Sequence, residues 1–170
     1  MSASTNPKQC GARCDECPLG PNGELQKDEW RPVMGEFHPG AKILALGEAP
    51  RAEDINHGRP LMGSAAGEWS RFLAATGMNR SQVDLDNVIA CKPSGKEGGA
   101  WNRMEKSLDR LNKRRVSQGK DPAPHPADCC RPRLDSVLEK YDNFIALGKT
   151  ATRVLSGQSG GIHGLRGGPR

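Results

Sequence analysis

The chain contains few aromatic residues: three Trp, three Phe and one Tyr make up 4% of its 170 residues. A surface that binds nucleic acid mainly by stacking bases on aromatic rings is therefore not expected. The sequence also lacks an apolar run near the roughly 20 residues that cross a bilayer, so we expect a soluble protein with no membrane partner. No secretory leader precedes Cys10, which predicts a cytoplasmic protein with reduced thiols.

Acidic residues are outnumbered by basic ones. The 25 Lys and Arg exceed the 20 Asp and Glu, giving a net charge of +5, and this excess predicts a polyanionic partner. The imbalance is concentrated between Lys92 and Lys120, where nine basic residues stand against three acidic ones. Within this stretch, the run Lys113-Arg114-Arg115 is either the solvated face of a helix or a surface that contacts phosphates.

Three short apolar runs predict strands that are buried on both faces. They cover residues 42–46, 87–90 and 143–147, and the first and third end in Gly47 and Gly148. Helical patterns cover residues 65–76, 101–116, 130–140 and 149–155, with Trp69 and Phe72 predicted in the core. Alternating strands and helices predict an α/β fold with a parallel sheet and right-handed crossovers.

The length accommodates one domain of ordinary size. Its first forty residues are rich in Pro, Gly and Cys, which predicts a loop region wrapped onto the domain. Residues 92–129 are predicted to form a basic insertion, and residues 157–170 a Gly-rich end.

Four of the six cysteines are candidate metal ligands: Cys14, Cys17, Cys91 and Cys130. Thiolates this far apart in sequence meet only on folding, so a bound iron–sulfur cluster or zinc ion would link distant segments. Disulfides or unrelated buried thiols are the alternatives. Cys10 and Cys129 are either spare thiols or replacement ligands.

The turn after the first predicted strand carries three carboxylates, Glu48, Glu53 and Asp54, around a Gly/Pro turn. Glycines let backbone approach a ligand closely, although such a loop is commonly only a polar connection. In parallel sheets, ligands bind where loops converge at the carboxyl ends of strands. The turns at Gly47 and Gly148 belong to that edge.

Taken in order, several motifs resemble the type-four, iron–sulfur branch of the uracil-DNA glycosylases. They are Cys14-x-x-Cys17, Gly47-Glu48-Ala49-Pro50, Gly58-Arg59-Pro60, Asn87-Val88-Ile89-Ala90-Cys91-Lys92-Pro93, Cys130-Arg131-Pro132-Arg133-Leu134 and Ala146-Leu147-Gly148. The resemblance implies a three-layer α/β/α fold with a central, mostly parallel sheet, and hydrolysis of the glycosidic bond of deoxyuridine in DNA.

The resemblance also implies roles for individual residues. A structural [4Fe–4S] cluster would be held by Cys14, Cys17, Cys91 and Cys130, the last chosen over Cys129 because it begins the Cys-x-Pro-x-Leu pattern. The uracil pocket would be formed by Gly47, Glu48, Ala49, Pro50, Leu61 and Asn87, and Glu48 and Asp54 would be the catalytic carboxylates. Contact of Lys113, Arg114 and Arg115 with the DNA backbone is predicted from their charge and not from the resemblance.

The sequence departs from the family pattern at three places. Leu61 stands where the family has a stacking Phe. Arg51 replaces a Gly and would crowd the turn if that position needs a positive φ, or would add a phosphate contact. The family's closing His-Pro-Ser segment would follow Gly167, where no match is found: His163 precedes this point.

Two functions are consistent with these features: a uracil-DNA glycosylase, and a catalytically impaired DNA-binding or protein-contact module of a phage replication or repair protein. A zinc-stabilised α/β domain of another purpose is a third.

We further expect a monomer, a replication partner, and a prokaryotic or phage-infected cell as the setting. One relative in the family traps DNA covalently through a reactive His at the end of a basic insertion in the same interval. Here Lys113-Arg114-Arg115-Val116 is followed by Ser117, so covalent trapping is not predicted.

Overall fold

The computed structural model describes residues 6–95 and 99–157. Its centre is a parallel sheet with the strand order β2-β1-β3. The strands are β1 (Ile43–Gly47), β2 (Val83–Asn87) and β3 (Asn143–Ala146). The helices are α1 (Ala52–His57), α2 (Ala66–Ala75), α3 (Ala100–Ser117), α4 (Pro126–Leu138) and α5 (Lys149–Ser156), with 3-10 turns at Pro7–Cys10 and Arg80–Gln82.

Helices cover both faces of the sheet, because the side chains of β1 alternate between two cores. Ala45 packs on one face with Trp69 and Leu73 of α2. Leu46 packs on the other face with Leu134 of α4 and with α5. The predicted three-layer α/β/α fold with a parallel sheet is thus confirmed.

The second strand was predicted at the wrong residues. The sequence pattern favoured 87–90, whereas β2 is Val83–Asn87 and Val88–Ala90 follow it as buried, irregular chain. The cause is that Asp84 and Asp86 give β2 the polar alternation of a surface strand, yet both are only 2% exposed. Buried partners, described below, satisfy these carboxylates. Asn87 therefore ends its strand rather than beginning it.

Two helical predictions also need correction. Cys130 does not open a helix: α4 begins at Pro126, where proline is favoured, and the side chain of His125 accepts a hydrogen bond from the Ala127 N–H at 3.1 Å. Phe72 was predicted in the core but is 41% exposed, stacked on buried Trp69 with ring centroids 5.4 Å apart.

The amino-terminal segment lies against the sheet and α4. Its Glu36 pairs antiparallel with Leu85 of β2, and the Arg13 N–H donates to the Cys129 carbonyl at 2.9 Å. The segment therefore brings its cysteines to α4. Within the ranges given above, no helix is long and apolar enough to cross a membrane. The predicted Gly-rich end from residue 158 onward, including His163 and Arg166, lies outside the described residues.

Candidate active site

The carboxyl ends of β1 and β2 meet the loop after β3 in a cleft of about 300 Å³. The cleft brings together most of the residues predicted for base binding or catalysis: Gly47, Glu48, Ala49, Asp54, Leu61 and Asn87. Pro50 lines a smaller cavity beside it, of about 60 Å³, together with Lys92 and Trp101. Segments separated by forty residues of sequence converge here because parallel strands end at the same edge.

Asn87 lies directly opposite Gly47 in the register of β1 and β2. A Cβ atom added to Gly47 would stand 2.4 Å from Oδ1 of Asn87, so the amide occupies the space that a side chain would fill. Asn87 is 6% exposed and lines the cleft. Its amide offers both a hydrogen-bond donor and an acceptor to a bound molecule.

Glu48 is held by a residue that sequence reasoning missed. The Thr150 hydroxyl, in the first turn of α5, donates to Oε2 of Glu48 at 2.5 Å. A carboxylate near a helix N-terminus is also stabilised by the helix dipole. The available signal was the position of Thr150 immediately after the turn at Gly148, since that turn was already predicted to lie at the ligand-binding edge.

Both carboxylate oxygens of Asp54 accept hydrogen bonds from backbone N–H groups. Oδ2 accepts from the Arg51 N–H at 2.9 Å, and Oδ1 accepts from the Met62 N–H at 2.6 Å. The side chain thereby ties the start of α1 to the segment that carries Leu61. These contacts describe a positioning group, and the catalytic role of Asp54 stays a prediction.

Leu61 has a φ of 57° and is the only non-glycine residue with a positive φ in the described part of the chain. Such a conformation costs roughly 1–3 kcal/mol and persists where its surroundings over-determine it. Here Arg80 donates to the Pro60 carbonyl at 2.6 Å and to the Leu61 carbonyl at 3.3 Å. The strained residue thus lines the cleft from a fixed position.

Glu36 in turn holds Arg80, with 2.7 Å between Oε2 and Nη2. Burial raises the pKa of Glu36, but its hydrogen bonds to Arg80 and Arg59 outweigh this and lower the pKa to about 2. The carboxylate is therefore ionised at neutral pH and keeps Arg80 on the Leu61 segment.

Arg51 does not crowd the turn. Its φ of −111° and ψ of −179° are extended values open to any residue, so the backbone here does not require the glycine of the family pattern. Its guanidinium donates to the Ser64 hydroxyl at 3.2 Å and borders the cleft. The alternative, a phosphate contact by Arg51, stays a prediction.

The four predicted cysteine ligands are buried, and so is Cys129, whereas Cys10 is half-buried. Burial and then the charge of Cys130 raise the pKa of Cys14 to about 11, and the same two causes raise that of Cys91 to about 12. The pKa of Cys17 is raised by a hydrogen bond with Cys129, by burial and by the charge of Cys130. Cys130 therefore lies near enough to each of the other three predicted ligands to raise its pKa.

These thiols are not arranged as a site for one ion. Among residues 6–95 and 99–157, no three His, Cys, Asp or Glu side chains form a group that could hold a metal ion. Donors do surround the sulfurs: the Trp30 indole N–H lies 3.3 Å from the Cys91 sulfur, and the Arg133 guanidinium lies beside the Cys130 thiol.

The basic run lies at the far end of α3. Lys113 is exposed, but Arg114 and Arg115 both pair with Glu24, at 2.8 and 2.5 Å. At 1.5 Å per residue, the run is about 20 Å along the helix from Trp101, which borders the cleft region. Two of the three residues predicted to contact DNA thus hold the amino-terminal segment against α3.

Comparison with known proteins identifies relatives. The family model for the uracil DNA glycosylase superfamily matches residues 34–167. A type-4 uracil-DNA glycosylase of Pyrobaculum aerophilum is 34% identical over 98 residues, 58% of this chain and 47% of that protein. One of Archaeoglobus fulgidus is 31% identical over 88 residues, 52% and 44% of the two chains. One of Thermotoga maritima is 28% identical over 160 residues, 92% and 68%. The chain spans under half the length of the first two relatives.

Replacing Gly47 by Ala should displace the Asn87 amide, because the new Cβ would lie 2.4 Å from Oδ1. A crystal structure of Gly47→Ala measures the shift. The matched control is Gly67→Ala in α2, where an added Cβ meets nothing within 4 Å, and where Ala stabilises a helix by roughly 0.5–1 kcal/mol over Gly. An Asn87 side chain that stays in place in Gly47→Ala would contradict the assigned packing.

Proposed function

The chain belongs to the uracil DNA glycosylase superfamily, as its motifs predicted, and we propose that it hydrolyses the N-glycosidic bond of deoxyuridine in DNA. The observation that carries the proposal is the meeting of Asn87, Glu48 and Leu61 in one cleft at the carboxyl edge of the sheet. The proposal extends from relatives whose names state this activity and which this chain covers only in part.

Base recognition is assigned to Asn87. An amide can donate to a carbonyl of uracil and accept from its ring N–H, whereas cytosine offers the reverse pattern along that edge. Because Asn87 is packed against Gly47 and its strand end is buried, the amide is held for this purpose before the base enters. A fixed donor costs no reorganisation when negative charge develops on the departing uracil.

Glu48 is proposed as the carboxylate that faces the sugar. Breaking the bond leaves positive charge on the deoxyribose, and a nearby carboxylate stabilises that charge and orients a water molecule. The Thr150 hydroxyl donates a hydrogen bond to Oε2 of Glu48. Oε1 is therefore the oxygen proposed to orient the water. Asp54, whose oxygens are both used by backbone, would support catalysis by holding the Leu61 segment.

Leu61 would contact the face of the base. It is an apolar residue in the position of the family's Phe, so part of a stacking energy of roughly 1–3 kcal/mol per base is forgone. The rigid placement of Leu61 by Arg80 compensates in part, because less side-chain freedom is lost on binding.

The cysteine site is proposed to hold a [4Fe–4S] cluster through Cys14, Cys17, Cys91 and Cys130. The donor set consists of buried thiols from three segments, with N–H groups aimed at sulfur, which fits an iron–sulfur group. Bound there, the cluster would join these segments, and its binding energy would add to folding. Zinc is the alternative occupant, and against it stands that the described residues show no three side chains grouped to hold a single ion.

The DNA backbone is proposed to follow the exposed face of α3. Arg103, Lys106, Arg110 and Lys113 are exposed and spaced by three or four residues, so they form one basic stripe along the helix. The stripe starts near the cleft and reaches the predicted run at Lys113. Arg114 would have to leave Glu24 to take part.

A catalytically impaired binding module is not favoured, because the cleft retains its predicted polar groups in one place. The expected monomer, replication partner and cellular setting remain predictions.

The deciding measurement is uracil release from a labelled single-stranded oligonucleotide. The wild-type chain should release uracil, and Asn87→Ala should lose about 10²-fold or more, as expected for removing a donor to developing charge. Asn143→Ala, an exposed asparagine at the start of β3 and away from the cleft, is the control and should retain activity. DNA binding by the wild type without any release would support the impaired module instead.

Iron removal tests the cofactor. Freshly purified chain should contain iron and sulfide, show a broad visible absorption band, and lose both the band and thermal stability when iron is chelated. Cys130→Ser should abolish the band, while Cys10→Ser should leave it. A colourless protein with stoichiometric zinc would contradict the cluster.

Charge reversal on α3 tests the DNA path. Lys106→Glu with Arg110→Glu should weaken binding to single-stranded DNA and reduce the slope of log K against log salt by about 1.4, since each lost contact removes about 0.7. Lys42→Glu with Lys140→Glu makes the same charge change at exposed positions beside the opposite ends of the strands. Equal effects of the two pairs would argue for a non-specific charge effect.

A further inference from the structure

Arg133 and Asp86 form the most deeply buried ion pair in the described part of the chain. Both side chains are 1% exposed, and Nη1 lies 2.6 Å from Oδ2. A buried pair of this kind gives little net stability, because removing two charges from water offsets their attraction. Net stability therefore does not explain the presence of this ion pair.

The ion pair forms hydrogen bonds with both the carbonyl and the N–H of Asn87. Nη2 of Arg133 donates to the Asn87 carbonyl at 2.6 Å, and the Asn87 N–H donates to Oδ1 of Asp86 at 2.7 Å. Both peptide groups of the residue that ends β2 are thus held by one ion pair. The direction of the Asn87 side chain follows from these contacts and from its packing on Gly47.

The same arginine reaches the cysteine site. Arg133 lies one helical turn after Cys130 in α4, and its guanidinium lies beside the Cys130 thiol. Its Nε atom is buried and has no hydrogen-bond partner among the described residues. A buried donor left unpaired costs roughly 1–3 kcal/mol, and a sulfur acceptor at the cysteine site would remove that cost.

We propose that Arg133 is a positioning residue that couples the cysteine site to base recognition by Asn87. Its terminal nitrogens set the backbone of Asn87, and its Nε donates to sulfur when the site is filled. Arg133 itself is buried and is not among the residues that line the cleft. The inference rests on the proposed function and assigns a regulation to that site.

Coupling of this kind is reciprocal. If a filled cysteine site favours the Asn87 geometry that binds the base, then a bound base must strengthen retention of the metal group by the same factor. Couplings in proteins are typically about 5–150-fold. The effect is measurable without any catalytic turnover.

The test follows the loss of visible absorption in excess iron chelator, with and without a saturating oligonucleotide that carries one 2′-fluoro-deoxyuridine, whose glycosidic bond resists cleavage. The oligonucleotide should slow bleaching of the wild type by about fivefold or more. In Arg133→Lys, which keeps the charge but loses the planar fork, the protection should disappear. Arg131→Lys, an exposed neighbour paired with Asp135, should behave as wild type.

A second variant guards against misfolding of the first. Asp86→Leu with Arg133→Met replaces the buried pair by apolar side chains, an exchange that is often neutral for stability, and it should likewise bind the oligonucleotide without protecting the cluster. Equal protection in wild type and both variants would overturn the coupling, and so would no protection in a wild type that binds the oligonucleotide. A wild type that neither binds nor cleaves uracil-containing DNA would instead overturn the proposed function, and the inference with it.

Discussion

The in-register pairing of β1 with β2, which sets Gly47 opposite Asn87, is the contact on which the cleft depends. The two strands end together, so the turn carrying Glu48 and the amide of Asn87 project from the same edge. The amide fits only because position 47 has no Cβ. A shift of one residue in this register would move Asn87 to the other face of the sheet.

Much of the charge near the cleft holds backbone in place. Asp54 joins the start of α1 to the Leu61 segment by two hydrogen bonds. Arg80, which is paired with Glu36, donates to the backbone of the same segment. Tyr141 and His38 satisfy buried Asp84. Because most of these hydrogen bonds end on backbone groups, they fix the course of the chain beside the cleft. The strained φ of Leu61 is retained because its neighbours leave it no alternative.

The cysteine site and the cleft share one element, the chain from β2 to Cys91. Asn87 and Cys91 stand at its two ends, with buried Val88, Ile89 and Ala90 between them. α4 packs on this stretch and brings Cys130 to one end and Arg133 to the other. Anything that fixes the thiols therefore also constrains the residue proposed to read the base. Coupling through packed, hydrogen-bonded neighbours requires no large movement.

The sequence by itself determined the α/β class, β1, β3, the limits of α3 to within a residue and the membership of the superfamily. These follow from local periodicity and from motifs whose order survives without coordinates. It misplaced β2, because buried Asp84 and Asp86 resemble surface residues until Tyr141, His38 and Arg133 are seen beside them. It also gave no sign that Glu24, ninety residues away in the chain, pairs with Arg114 and Arg115, whose contact with DNA stays a prediction. Only the tertiary structure decided which charges are paired, because a long-range partner leaves no periodic trace in sequence.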